Sequence, residues 1–501
     1  MFSYALRYGS LLFTFILLSG CATDGFFNAN KSFGILGAYT LLAPTSHGET
    51  IIYARIIMEG NSVGCPILIG NKKKVVPTTA RSLHPDHSNG MDTKNFPVTV
   101  CEAIIAPDTR YKDSSGKIDL RAITLNPSAI QVYGDTGCKS NVCLGNASAK
   151  KFQSLAEQGA KTLPELILHM GDYNYRGTSG PIKNSIYKDK KYAYDAGDGG
   201  YGGDSCGLQE SYYSQNASGS ESPDNWTDWN NDFFRPAEKI LSSAPWVFAR
   251  GNHELCSRAG PGWFYFFGPG SSLPGGVAQQ QCPNQGDLAT PPTTAAKHIQ
   301  MIPPYFVKLK HLQLWVVDSA NACDDRSSNT LTTQYQSWFN QLQKNIGKQN
   351  TWMVTHRPMW GVNQPGKDEA PLTKMLQTAL KNSNGQALPP QVSLSLSGHM
   401  HLFQSITSIP PSKRPPQIII GNSGVSLENI TKENFSTTID NETVNGNELR
   451  KHGFLQIDYQ PDGSWEGKLF NKFGQTMSEC GSLSKQRDQT VCELGKGLRL
   501  Y

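Results

Sequence analysis

Leu166-Ile167-Leu168-His169-Met170-Gly171-Asp172-Tyr173-Asn174-Tyr175 is a short apolar run that ends in a glycine, a carboxylate and a phenol. A strand of buried type that stops at Gly-Asp reads as one strand of a parallel sheet, with a polar side chain at its carboxyl end. The pattern recurs. Ile130–Tyr133 runs into Gly134-Asp135-Thr136-Gly137, and Trp246–Ala249 precedes Gly251-Asn252-His253-Glu254. Trp352–Thr355 runs into His356-Arg357-Pro358, and Val392–Leu396 precedes Gly398-His399-Met400-His401. Leu312–Val317 and Ile418–Ile420 are further runs of this kind. Helical stretches intervene. In Leu331–Ile346 the side chains of Leu331, Tyr335, Trp338, Phe339, Leu342 and Ile346 share one face, and weaker helical patterns cover Phe233–Leu241 and Ala370–Leu380. Strands alternating with helices predict an α/β domain, in which the carboxyl ends of the strands converge on one crevice. The glycine before each Asp or Asn is expected to let the chain turn off its strand.

Five strand ends thus bring metal-type donors together. Asp135, Asp172, Tyr175 and His401 make one set; Asn252, His356 and His399 make a second, with Asp172 free to bridge. Mixed carboxylate, imidazole and amide donors suit iron, manganese or zinc rather than a thiolate site. A phenolate is a hard anionic donor that favours a trivalent ion.

This constellation resembles the calcineurin-type metallophosphoesterases and, within them, the purple acid phosphatases. The family pattern is GDxG, GDxxY, GNH(D/E), VxxH and GHxH. Four of the five match letter for letter, and the fourth has Met353 where Val is usual. Relatives outside the purple subgroup commonly have a His ligand two residues after the first Asp and lack the Tyr; here that position is Gly137, and Tyr175 is present. The motifs span 135–401, and the layout extends the likeness to about 35–475. The resemblance implies a small N-terminal β-sandwich followed by a four-layer α/β (α+β) domain with two mixed sheets flanked by helices. It implies phosphomonoester hydrolysis at two metal ions, Fe(III) with Fe(II), Zn or Mn, and it gives His253 a catalytic role as proton donor to the leaving alkoxide. Two other readings stay open: a phosphodiesterase of the same superfamily, and a non-catalytic surface lipoprotein. Glu254 either orients His253 or caps local structure. His169 reads as structural or as a support behind the donors, and His84 and His87 as solvent-facing.

Composition bounds the rest. Gly (48) and Pro (30) make up about one residue in six of the 501, and only 17% are charged, which excludes a coiled coil and a charge-rich disordered chain. A net charge of +5 is too weak to imply nucleic acid or an anionic membrane surface. Arg7, the apolar run Leu11–Leu18 and Ser19-Gly20 read as an export signal. Leu18-Ser19-Gly20-Cys21 resembles the lipobox of bacterial lipoproteins. That likeness implies cleavage before Cys21, lipid on its sulfur, and an exported protein on the periplasmic or cell-surface side, held to the membrane by its anchor alone. The predicted organisation is a signal peptide over 1–20, a tether over 21–34, a β-rich domain over 35–128, a catalytic domain over 129–480 and a tail over 481–501. With Cys21 set aside, ten of the 11 cysteines remain to pair in an oxidising compartment. Cys65–Cys101, Cys138–Cys143 and Cys480–Cys492 are the expected bridges. Residues 177–231 are predicted to be a long loop, and Asp195, Asp198 and Asp204 in it lack the spacing of an EF-hand. The implied partner is a phosphoester substrate, and no protein partner is predicted.

Overall fold

The strand ends that carry these donors come from two sheets. The computed structural model describes residues 34–501, except for 62, 82–94, 138–148, 176–223, 256–257, 270–300, 325–326, 328, 364–372, 410–411, 413, 431, 483–489 and 495–501. At the centre of the first sheet, Ala129–Tyr133, Leu166–His169, Pro245–Phe248 and Ile35–Pro44 run parallel. Antiparallel strands extend both sides to eleven strands. In the second sheet, Gln313–Val317, Thr351–Thr355, Val392–Ser397 and Gln417–Ile420 form a parallel centre within eight strands. All seven runs predicted as strands are strands, with ends displaced by at most one residue.

Alternation along the strands builds the layers, because successive side chains point to opposite faces. Ile130 and Val132 share one buried core with Trp352, Val354, Leu394, Leu396, Ile418 and Ile420, so the two sheets bury their inner faces together. On the outer face of the first sheet, Tyr133 packs edge-on against Phe152 of the helix Ala149–Lys161. On that of the second, Trp315 and Met353 join Leu331, Tyr335, Trp338, Phe339 and Leu342 of the helix Asn329–Asn345. The result is helix, sheet, sheet, helix, the four-layer arrangement expected.

Two local readings differ. The 35–128 region is β-rich as expected, but its longest strands do not close on themselves as a separate sandwich. Ile35–Pro44 pairs with Pro245–Phe248 on one edge and with Thr50–Glu59 on the other, which joins this region to the first sheet. Ile67–Gly70, Val75–Pro77, Tyr111–Asp113 and Asp119–Leu120 form a small sheet of their own, and residues 35–501 make one compact unit. The loop predicted to end at 231 ends earlier: Trp226–Trp229 is helical, with both Trp side chains buried. Residues 434–449, to which the sequence assigns no element, form a hairpin on the edge of the second sheet. Cys65–Cys101 and Cys480–Cys492 are bridged, and Cys323 is also in a disulfide. Cys21, Cys138, Cys143, His84, His87 and the three loop aspartates lie outside the described residues.

One buried carboxyl in the second sheet makes stability depend on pH. Glu448 sits directly across from Gln404, whose Nε2 donates to Oε1 at 2.6 Å. Oε2 is buried with no partner among the described residues. Burial pushes this carboxyl from 4.5 up to about 7. A raised carboxyl pKa means that the folded chain holds the proton more tightly than the unfolded chain. Its contribution is therefore full below the unfolded value and is lost as pH rises towards 7. Between pH 5 and pH 8, urea unfolding should show wild-type stability falling more than that of Glu448→Gln, by on the order of 2 kcal/mol. Parallel pH profiles for the two proteins would refute this.

Candidate metal centre

The backbone bends sharply where the strands end. Asp135, Asp172 and His399 adopt left-handed conformations, with φ of 55°, 59° and 74°. The sequence assigns these turns to the preceding glycines, yet of Gly134, Gly171, Gly251 and Gly398 only Gly171 is left-handed, at φ 98°. At Gly134 a Cβ would meet the carbonyl oxygen of Ile420 at 2.2 Å, and at Gly251 and Gly398 the donors themselves leave no room. A Cβ on Gly251 would sit 2.1 Å from Asp172 Oδ1, and one on Gly398 would sit 2.4 Å from Asp135 Oδ2.

The structure gathers all seven predicted donor residues in the two expected sets. Donor atoms of Asp135, Asp172 and His401 lie within 4.8 Å of one another, as do those of Asp172, His356 and His399. Tyr175 belongs to the first set: its OH donates to Asp135 Oδ1 at 2.9 Å and lies 3.1 Å from His401 Nε2. Asn252 belongs to the second, with Oδ1 2.9 Å from His356 Nε2 and 3.1 Å from His399 Nδ1. Asp172 is common to both. His399 and His401 are half-buried and the other five are buried.

Proton bookkeeping tests whether cations fit here. His356 Nδ1 lies 2.7 Å from the carbonyl oxygen of Met170, which can only accept, so Nδ1 carries the hydrogen. His356 Nε2 is then a lone pair aimed at the amide oxygen of Asn252, an acceptor facing an acceptor. The carboxylates tell the same story. Burial, and then the charge of Asp172, pushes Asp135 well above the usual range. Burial also acts to raise Asp172, and only positive charge at His356 and His253 outweighs it and holds that carboxyl well below its ordinary value. Two carboxyls this close do not both ionise without added positive charge. A cation in each set would supply that charge and separate the opposed lone pairs, so the donors fit metal ions.

The residues around the sets have distinct tasks. His253 is buried, its ring 4.0 Å from that of Tyr175, with Nε2 3.9 Å from Asp172 Oδ2. Its Nδ1 has no hydrogen-bond partner among the described residues. Burial, and then the charge of Arg258, holds its proton affinity well below that of a free imidazole. Glu254 does not orient His253. Its carboxylate accepts the backbone N–H of Asp172 (3.0 Å), Tyr173 (2.8 Å), Asn174 (3.3 Å) and Gly251 (3.0 Å), and so ties the Asp172 loop to the Asn252 loop. His169 is structural, as expected: it is bonded to Thr136 Oγ1 at 2.9 Å and stacks on Tyr173. Sequence reasoning missed Asp324, whose Oδ2 lies 2.7 Å from His399 Nε2 and 2.8 Å from Arg357 Nη1. Its signal was positional, because it follows the strand Gln313–Val317, a strand end of the same sheet that carries no motif.

Residues 129–403 match the family described as calcineurin-like phosphoesterase. Among solved structures, a purple acid phosphatase isolated from yellow lupin (Lupinus luteus) seeds is similar at 11% identity and a TM-score of 0.49. The match covers 88% of this chain and 72% of that one. GAP50, the anchor in the inner membrane complex of Plasmodium, is similar at 12% identity and a TM-score of 0.37, over 71% of this chain and 88% of that one. No curated protein matches the chain.

The Glu254 clamp predicts a graded loss of stability. Glu254→Ala leaves four buried N–H groups without their acceptor. At about 1–3 kcal/mol for each stranded group, the expected loss exceeds about 4 kcal/mol. Glu254→Gln retains one accepting oxygen and should lose less. Denaturant unfolding of the three proteins checks the order; equal stability of Glu254→Ala and wild type would dismiss the clamp.

Proposed function

The chain belongs to the calcineurin-like phosphoesterase family, and from that premise we propose that it hydrolyses phosphomonoesters at a binuclear metal centre of the purple acid phosphatase type. One observation carries the reading: two donor sets share Asp172, and in the second of them the lone pairs of His356 Nε2 and Asn252 Oδ1 face one another. In this reading Asp135, Asp172, Tyr175 and His401 hold Fe(III). Asp172, Asn252, His356 and His399 hold the second ion, Fe(II), Zn or Mn. The buried phenol at Tyr175 and the donor-free Gly137 favour the ferric assignment, since a phenolate suits a trivalent ion. Bound there, the two cations would activate water as the nucleophile and neutralise charge on the phosphoryl oxygens.

The chain's own contribution centres on His253. Its backbone N–H donates to Asp172 Oδ1 at 3.0 Å, which fixes the residue beside the bridging carboxylate while its side chain stays out of both donor sets. The imidazole gives its proton to the departing alkoxide oxygen, as a general acid. A donor of depressed proton affinity is charged mainly in acid, which favours activity at low pH.

Exported lipoprotein status, with lipid on Cys21, remains part of this reading. The disulfides support an oxidising compartment, and no described helix is long and apolar enough to cross a membrane.

Two experiments test the proposal. Wild type is expected to contain iron, to show a visible tyrosinate-to-iron band that Tyr175→Phe abolishes, and to release phosphate from monoesters faster than from diesters. A colourless, fully active zinc or manganese enzyme would sink the ferric assignment, and a preference for diesters would overturn the substrate class. His253→Ala should keep both metals and lose about 10²–10⁴-fold in turnover on esters with poor leaving groups. It should lose less on nitrophenyl esters, whose leaving group needs little protonation. Equal losses on both, or loss of a metal, would remove the general-acid role.

A further inference from the structure

We propose that Asp324 is a positioning residue that selects the tautomer of His399 and thereby turns the Nδ1 lone pair of that ring toward the second metal position. The proposal rests on the metal-centre reading above. Among the described residues, three polar atoms stand beside the ring nitrogens of His399. Nδ1 is 3.1 Å from Asn252 Oδ1; Nε2 is 2.7 Å from Asp324 Oδ2 and 2.9 Å from Arg357 Nη1.

A neutral imidazole has one N–H to place. With the hydrogen on Nδ1, the Nε2 lone pair would face a carboxylate oxygen at 2.7 Å, acceptor against acceptor. With the hydrogen on Nε2, that contact becomes a charge-assisted hydrogen bond, and Nδ1 is left as the lone pair among the donors of the second set. Asp324 therefore favours the ligand form.

Arg357 pulls the other way. A guanidinium only donates, so Nη1 at 2.9 Å would stabilise a lone pair on Nε2 and drive the hydrogen to Nδ1. That hydrogen would point where the cation belongs. Asp324 prevents this by accepting from Arg357 Nη1 itself, at 2.8 Å. Removing Asp324 thus does more than delete a hydrogen bond: it hands His399 to a donor that selects the wrong tautomer.

The carboxylate is well held for the task. Thr373 Oγ1 donates to its Oδ1 at 3.1 Å, its backbone oxygen accepts from Lys374 N at 2.9 Å, and the adjacent Cys323 is in a disulfide. The partner imidazole of the second set needs no such help, because the Met170 carbonyl fixes the tautomer of His356.

The test is a Zn(II) titration of the metal-free mature chain against a competing chelator. It compares wild type, Asp324→Ala, Asp324→Asn and the double variant Asp324→Ala/Arg357→Met. Wild type should take two equivalents. In Asp324→Ala one of them should bind about 10–100-fold more weakly, the usual effect of losing a carboxylate behind a metal-bound histidine, while the other is unchanged. Asp324→Asn, whose amide oxygen still accepts from Nε2–H, should lose less. It also answers the question if the alanine variant does not fold. The double variant should bind more tightly than Asp324→Ala, because the competing donor is gone, a recovery that a merely structural role would not produce. Equal affinity in wild type and Asp324→Ala, equal weakening of both equivalents, or no recovery in the double variant would each overturn the proposal. A wild type that takes no Zn(II) would overturn the metal-centre reading and this proposal with it.

Discussion

Asp135 and Asp172 are buried carboxylates in one donor cluster, and the rest of the site follows from the need to stabilise charge there. An ion stripped of water costs several kcal/mol unless partners replace its hydration. The protein supplies part of that replacement. The backbone N–H of His399 and the phenol of Tyr175 each donate to Asp135, at 2.9 Å, and the N–H of His253 donates to Asp172. Those donors come from both sheets, so the carboxylates also tie the layers together at the crevice. What they leave unanswered is net charge, and opposed lone pairs show where positive charge belongs. A site arranged this way favours cations before any substrate arrives.

Such an arrangement stores strain. Three non-glycine residues with left-handed backbone cost roughly 1–2 kcal/mol each. They persist because their surroundings leave no alternative: strands ending in a shared core, glycines against which the carboxylates lie, and Glu254 collecting four N–H groups from two loops. The distribution of roles is economical. Asp172, for example, bridges the donor sets through its side chain while its own N–H is held by Glu254 and its carbonyl oxygen accepts from Gly137 N at 3.2 Å.

Much of this was legible in the sequence because the site is built at strand ends. A strand of buried type followed by Gly-Asp or Gly-Asn has both a period and a stop, and the rule that parallel strand ends converge turns separate motifs into one site. The large helix was legible for the same reason: Leu331, Tyr335, Trp338 and Phe339 keep one face. The helix Ala149–Lys161 was not, because Phe152, Leu155, Ala156 and the side-chain-free Gly159 are a weak mark of its buried side amid lysines and glutamines. Pairing across sequence distance was also hidden. Nothing local announces that Ile35–Pro44 lies beside Pro245–Phe248, since that neighbour is chosen by edges and not by periodicity. Asp324 was invisible for a related reason: its meaning depends on which ring lies beside it. Glu254 could be read only as one of two things, because the number of N–H groups it accepts is a property of folded loops.

The edge pairing of the N-terminal strands explains why residues 35–105 matter to a site whose donors begin at 135. The short helix Gly260–Phe266 follows directly on the loop of His253 and Glu254, and it is wholly buried. Buried helix ends leave orphan N–H and C=O groups that something must satisfy. Asp224 accepts the N–H of Gly262 at 2.6 Å near the start of this helix. At its end, the buried guanidinium of Arg55 donates to the carbonyls of Phe266 and Gly268, Tyr39 OH donates to Phe266 as well, and Arg81 reaches Phe264. A cation at the carboxyl end of a helix also meets the negative end of its dipole. Glu102 balances both arginines, forming ion pairs with each. Tyr39, Arg55 and Glu102 all stand on strands of the N-terminal region. These strands therefore fix the helix, and the helix fixes the loop: Ala259 N donates to the carbonyl of His253 at 3.1 Å. The β-rich region is a brace for the loop that carries His253 and Glu254, which is why it is continuous with the first sheet and not a module beside it.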